Sequence, residues 1–130
     1  MIAADTNLVL RLILQDDDTQ LATVQGLMAE YRLYLPLTVV MEAGWVLASR
    51  YQMKRGDIAD AFMALLVLDG VEIARADLVA WAVDRFRSGA DWADMLHLVA
   101  ARKLEGFVTF DQRLSHQAGG APPVAVTTLR

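Results

Sequence analysis

The chain has no cysteine among its 130 residues. Disulfides, thiolate metal sites and cysteine nucleophiles are therefore excluded together. No apolar run approaches the roughly 20 residues that span a bilayer. The N-terminus lacks a basic segment followed by a long apolar stretch and a cleavage site, so no secretory signal is expected and a cytoplasmic protein is the simplest reading. Repeats, linkers and low-complexity tracts are also missing, and one domain over residues 1–130 is the expected organisation. Basic residues are in deficit, 12 Lys and Arg against 16 Asp and Glu, for a formal net charge of −4. Phosphate contacts need Lys and Arg, so this balance argues weakly against a general nucleic-acid binder. A cluster of carboxylates holding divalent cations would reverse the sign locally and leave the basic residues free to form a patch.

What the chain does have is apolar content, 55% of its residues, which argues against disorder. Two periods alternate along it. Ile2 to Ala4, Tyr34-Leu35, Val71 to Ile73, Phe107 to Thr109 and Val124 to Val126 are short and apolar or β-branched, as buried strands are. Between them lie helical stretches at Leu8–Gln15, Thr19–Tyr31, Thr38–Tyr51, Asp57–Leu68, Ala76–Arg87 and Trp92–Leu104. Thr38 and Asp57 read as caps, and Gly70, Gly89 and Gly106 as stops. The alternation predicts an α/β fold with a mainly parallel sheet of about five strands, with Gly119 to Pro123 as a loop before the last.

Ligand crevices in such sheets lie outside the carboxyl ends of the strands. Asp5 stands where the first strand should end, and Asp111 follows Phe107-Val108-Thr109 with one residue between. Glu42 is the only charged side chain between Pro36 and Arg50, surrounded on a helix by Val39, Val40, Trp45, Val46 and Leu47. A buried ionised carboxylate costs several kcal/mol unless it is paired or metal-bound. The alternative is a narrow exposed stripe beside Met41, Ala48 and Ser49. Asp91 and Asp94, three apart, share one helix face, although acids in a first helical turn are favoured by the dipole without any function.

Asp5, Glu42, Asp94 and Asp111 come from two strand ends and two helices that can converge on one edge of the sheet. Four such carboxylates cannot all ionise at close range without cations. Oxygen donors favour Mg²⁺ or Mn²⁺, and the matching chemistry is phosphodiester hydrolysis.

The blocks ADTN near the start, ME followed by WVL at 41–47, ADWADMLHLVAARKLEG at 90–106 and VTFDQRL at 108–114 resemble PIN-domain ribonucleases, and most nearly VapC-type toxins of toxin–antitoxin pairs. The resemblance runs nearly end to end with the blocks in order. It implies a three-layer α/β/α fold, metal binding by Asp5, Glu42, Asp94 and Asp111, cleavage of RNA, a homodimer and a small cognate antitoxin. Thr6 and Thr109 match hydroxyl positions that orient the acids. Asn7 matches a residue expected to cap the first helix or hydrogen-bond a carboxylate. Asp91 is expected in a supporting role, through water or against a basic residue, with direct metal contact left open. His97 reads as a helix-surface or interface residue, with a general base as the lesser alternative, His116 as a surface residue, and Arg113 as the basic residue best placed for RNA phosphate. Arg11, Arg50, Lys54, Arg55, Arg102 and Lys103 are lesser candidates. Trp45, Trp81 and Trp92 are expected to pack, with base stacking as the alternative.

Two rivals fit less well. A phosphatase using Asp5 as nucleophile would want a second aspartate where Asn7 stands, and a receiver-type domain would want a strand-end lysine after Thr109. Both leave Glu42 unexplained. A catalytically silent PIN-like domain that binds RNA or a protein is the remaining alternative.

Overall fold

The computed structural model describes residues 1–130. Five strands and seven helices follow in the order β1 (Ile2–Ala3), α1 (Thr6–Leu14), α2 (Asp18–Glu30), β2 (Leu33–Leu35), α3 (Leu37–Ser49), α4 (Arg55–Val67), β3 (Val71–Ile73), α5 (Ala76–Arg87), α6 (Trp92–Ala100), β4 (Phe107–Thr109), α7 (Leu114–Ala118) and β5 (Val126–Thr128). All strand pairings are parallel. The fold is α/β. The strands form two groups, β1-β2-β3 and β4-β5, rather than one continuous ladder. Parallel neighbours need crossovers, and here the crossovers are helices, in pairs between β1 and β2, β2 and β3, and β3 and β4. No helix is long and apolar enough to cross a membrane.

The core is one cluster that includes Val9, Leu33, Leu35, Val40, Leu47, Phe62, Val79, Met95 and Leu98, all with essentially no exposed surface. Each helix gives one stripe to it. On α3 that stripe is Val40, Ala43, Gly44, Val46 and Leu47; on α6 it is Trp92, Met95, Leu96, Leu98 and Val99. The two helices meet at a tight point. Trp92 lies so close to Gly44 that a Cβ there would come within 2.2 Å of the indole nitrogen. That nitrogen donates a buried hydrogen bond to the Val40 carbonyl at 3.2 Å. The other faces of the indole pack on Phe62, stacked at 4.8 Å, and Phe86, edge-on at 5.3 Å. Arg55 holds the same corner: its Nη1 donates to the Phe86 and Ala90 carbonyls, both at 2.7 Å, while its guanidinium lies 4.4 Å from the centre of the Phe86 ring.

The boundaries differ from the sequence expectation in ways that have local causes. The α5 limits agree. The last strand begins two residues later than expected, because Val124 is buried as a core residue of the preceding loop and the ladder pairs Phe107 with Val126. Pro122 and Pro123 offer no backbone N–H to an earlier ladder. The α6 helix stops at Ala100 instead of Leu104, since the chain tightens into turns with Arg102 N–H on the Val99 carbonyl and Leu104 N–H on the Ala101 carbonyl, and Lys103 turns left-handed at φ 74°. Thr38 is not a cap; Pro36 precedes α3 with no side-chain cap. Asp57 lies inside the first turn of α4, behind Lys54.

Gly44 carries a stability prediction. Gly44→Ala forces Trp92 or α3 to move, and the resulting overpacking should cost about 1–3 kcal/mol. Urea unfolding of the variant reads this directly. An unchanged midpoint and slope would mean that α3 and α6 separate freely.

Candidate functional site

Asp5 begins the site. Chain direction brings it out at the carboxyl end of β1, immediately after buried Ala4. It is the N-cap of α1: extended at φ −89°, ψ 178°, it accepts the Leu8 N–H at 3.1 Å. Asn7 does not cap the helix, contrary to one expectation for it, because the carboxylate two residues earlier already does; Asn7 lies in the first turn and borders the cleft. Thr6 donates its hydroxyl to the Glu42 carboxylate and so ties the start of α1 to the middle of α3. Asp5, Thr6, Asn7, Glu42, Trp45 and Arg50 line a cleft of about 390 Å³, floored by Leu10, Val39 and Val46.

Glu42 is exposed, not enclosed among apolar neighbours. The reason is that α3 buries only the stripe centred on Val40, Gly44 and Leu47, and its other side carries Glu42, Trp45, Ala48 and Ser49. An apolar helix sequence had implied burial all round; the exposed indole of Trp45 accounts for much of the discrepancy. Trp45 is 65% exposed, so packing does not explain it, whereas Trp92 is 7% exposed and Trp81 is half-buried against the core.

The second pair of acids lies on α6 and after β4. Asp91 caps α6 by accepting the Asp94 N–H at 2.9 Å. Its supporting partner is thus a backbone amide. Asp111 follows the end of β4, where its N–H donates to the Thr109 hydroxyl at 3.0 Å and its carboxylate accepts the Arg113 N–H at 2.9 Å. Partial burial pushes the Asp94 carboxyl above its ordinary range; nearby Asp91 and Asp111 push the same way, while His97 and Arg113 partly offset them. Asp94 and Asp111 therefore feel one another across the strand edge. The two groups of acids adjoin through Ala93, which shares a slot with Glu42, Trp45, Met41 and Thr38.

The basic residues sort clearly. Arg11 is engaged by Asp16 at 2.9 Å and by the Tyr51 hydroxyl, Arg55 by carbonyls, and Arg102 sits 3.9 Å from Asp77. Arg113 is 82% exposed, with its Nε 3.7 Å from the Asp111 carboxylate. Arg50, one of the lesser sequence candidates, is the one that lines the Asp5–Glu42 cleft, and it forms no salt bridge. Its spacing from Glu42 and Trp45 on one helix was the signal that could have found it. His97 and His116 are exposed, as expected.

The PIN domain family model matches residues 2–120. The chain belongs to the PIN domain family. No curated protein and no solved structure matches it. PIN domains are nuclease-type folds that typically use divalent metal ions and bind RNA. The side chains here suit such an ion chemically, because Asp5, Glu42, Asp94, Asp111, Thr6 and Thr109 offer oxygen alone. No group of three acidic or histidine side chains stands close enough to hold an ion by itself. Mg²⁺ is commonly held by one or two carboxylates with waters completing its shell, which the paired arrangement fits.

The raised carboxyl of Asp94 gives a pH prediction for the protein in chelator. A raised acid pKa means that the fold disfavours the charged form, so the stability contribution is fully present below the unfolded-state value and is lost as pH rises through the folded-state value. Asp94→Asn should therefore melt above the wild-type protein at pH 7. The gap should close near about pH 3, where the carboxyl is protonated in both states. A wild-type protein more stable than the variant at pH 7 would show that attraction to Arg113 and His97 outweighs burial and the repulsion from Asp91 and Asp111.

Proposed function

We propose that this PIN domain is a metal-dependent endoribonuclease using Asp5, Glu42, Asp94 and Asp111, with Asp91 in support, and that it serves as the toxin of a type II toxin–antitoxin pair. The observation that carries the reading is the joining of Asp5 and Glu42 through Thr6 in one cleft, beside Asp94, whose carboxyl is pushed above its ordinary range by burial and by nearby Asp91 and Asp111. A cation bound beside these carboxylates would favour their charged forms. Mg²⁺ or Mn²⁺ held by these carboxylates would supply an activated water and neutralise charge on the attacked phosphate.

The chain's own groups divide the remaining work. Asp5 is fixed by the Leu8 amide and cannot swing out of the cleft without uncapping α1. Glu42 is held by the Thr6 hydroxyl, and Asp111 by backbone and side-chain contacts with Thr109 and Arg113. Arg113 and Arg50 present charge to the phosphates on either side. The apolar groove of Leu12, Ile13, Leu65 and Leu68 supports a protein partner, either a second copy or the antitoxin. A cytoplasmic location follows from the same role.

A silent PIN-like domain is the second reading, favoured by the lack of any cluster of three acidic or histidine side chains. The deciding assay incubates labelled RNAs with Mg²⁺ or Mn²⁺ and the wild-type protein, Asp5→Asn or Asp94→Asn. Each substitution should slow cleavage by about a hundredfold or more, and EDTA should abolish it. Asn caps a helix about as well as Asp, so Asp5→Asn should keep its fold. Cleavage that survives both substitutions would overturn the assignment of the acids; no cleavage and no calorimetric metal binding would leave the silent domain.

A further inference from the structure

Trp45 is the feature that neither the fold nor the acid chemistry uses. Of the three tryptophans, it alone stands mostly in solvent, 65% exposed. Single exposed apolar residues are ordinary. Trp45 differs from Val67, Leu104 and the other exposed apolar residues in where it stands: it borders the acidic cleft with Asp5, Glu42 and Arg50, and also walls the apolar slot of about 320 Å³ formed with Met41 and Ala93. It sits three residues after Glu42, one turn or about 5 Å along α3. Arg50 lies beyond it on the same cleft, with no salt bridge to occupy its guanidinium. A carboxylate, an exposed indole and a cation outside any salt bridge thus follow one another along α3 and the residue that ends it. That sequence of groups matches one nucleotide: reacting phosphate, base and neighbouring phosphate.

We propose that Trp45 is the stacking platform for an unpaired base of the RNA beside the cleaved phosphate, with Arg50 on the adjoining phosphate. The inference rests on the nuclease reading and adds a base-binding residue to it. Stacking on an indole uses the π-face common to all bases, which makes the contact tolerant of sequence. In a duplex that face is already covered by the neighbouring pair, so an A-form helix cannot use the platform.

The test uses a labelled single-stranded oligoribonucleotide, the same strand annealed to its complement, and the proteins Trp45→Ala, Trp45→Phe and, as a control for an exposed aromatic at the opposite strand ends, Tyr31→Ala. Trp45→Ala should raise KM for the single strand about tenfold or more, with a smaller change in kcat, while Trp45→Phe restores most of the loss and Tyr31→Ala changes nothing. The annealed strand should be cleaved about tenfold more slowly or worse. Binding is read separately on Asp5→Asn protein by anisotropy and by quenching of tryptophan fluorescence. The quench should vanish in Asp5→Asn carrying Trp45→Phe, although RNA still binds. Wild-type cleavage with Trp45→Ala equally active would overturn the platform and leave the nuclease standing. Binding with a Trp45-dependent quench, but no cleavage by any protein, would sustain the platform and overturn the nuclease. A Trp45→Ala protein that instead changes its sedimentation mass would assign the indole to contact with a second copy, against the proposal. If no RNA binds, both fail.

Discussion

The site depends on the approach of Trp92 to Gly44. Glu42 and Asp94 have no contact of their own to fix their relation, and each is two residues from this junction: Gly44 follows Glu42 on α3, and Trp92 precedes Asp94 on α6. The indole fills the space that any side chain at position 44 would need, and its N–H reaches the Val40 carbonyl one turn away. Packing against Phe62 and Phe86 prevents the ring from rotating out. Because interiors are close-packed, the spacing of the two helices is set by this contact and is carried directly to the acids at its border.

A second economy joins fold to chemistry at the helix starts. Asp5 and Asp91 are both N-caps, each accepting a backbone amide three residues on. The amide ends of α1 and α6 therefore face the acidic region, and their dipoles favour negative charge there. This favourable field opposes the burial and the repulsion from Asp91 and Asp111 that raise the Asp94 carboxyl. It also ties removal of either acid to helix stability, so that alanine substitutions confound chemistry with folding while Asn substitutions separate them. For Asp5 and Asp91 alike, the capping role that the structure shows and the proposed chemical role are not competitors.

Much of this was legible from residue order. Alternating short β-branched runs and longer helical stretches gave the α/β class, and the strand-end positions of Asp5 and Asp111 followed from the rule for parallel sheets. The short helix Leu114–Ala118 escaped because five residues carry too little periodicity, with only Leu114 and Ala118 turned inward. Glu42 was singled out because burial was expected, and the structure shows the exposed stripe that was its alternative. Its apolar neighbours implied burial, yet α3 leaves Glu42 and Trp45 in solvent, because hydrophobicity around a helix does not say which part of it another element covers. The same limit hid the rank of Arg50 among the basic residues: whether an arginine is free depends on what lies opposite, as Arg11 and Arg55 show.

The sequence by itself determined the α/β class, the absence of thiol chemistry, the kind of ligand that oxygen donors alone can suit, and the identity of the acids at strand ends and helix starts. These follow from local periodicity and from donor chemistry, both of which are written in neighbouring residues. Tertiary structure decided which acids share a cleft, which cations stay unpaired, and which tryptophan is left in water. Those outcomes rest on contacts between residues tens of positions apart, Val40 with Trp92 or Thr6 with Glu42, and only the packed chain sets them.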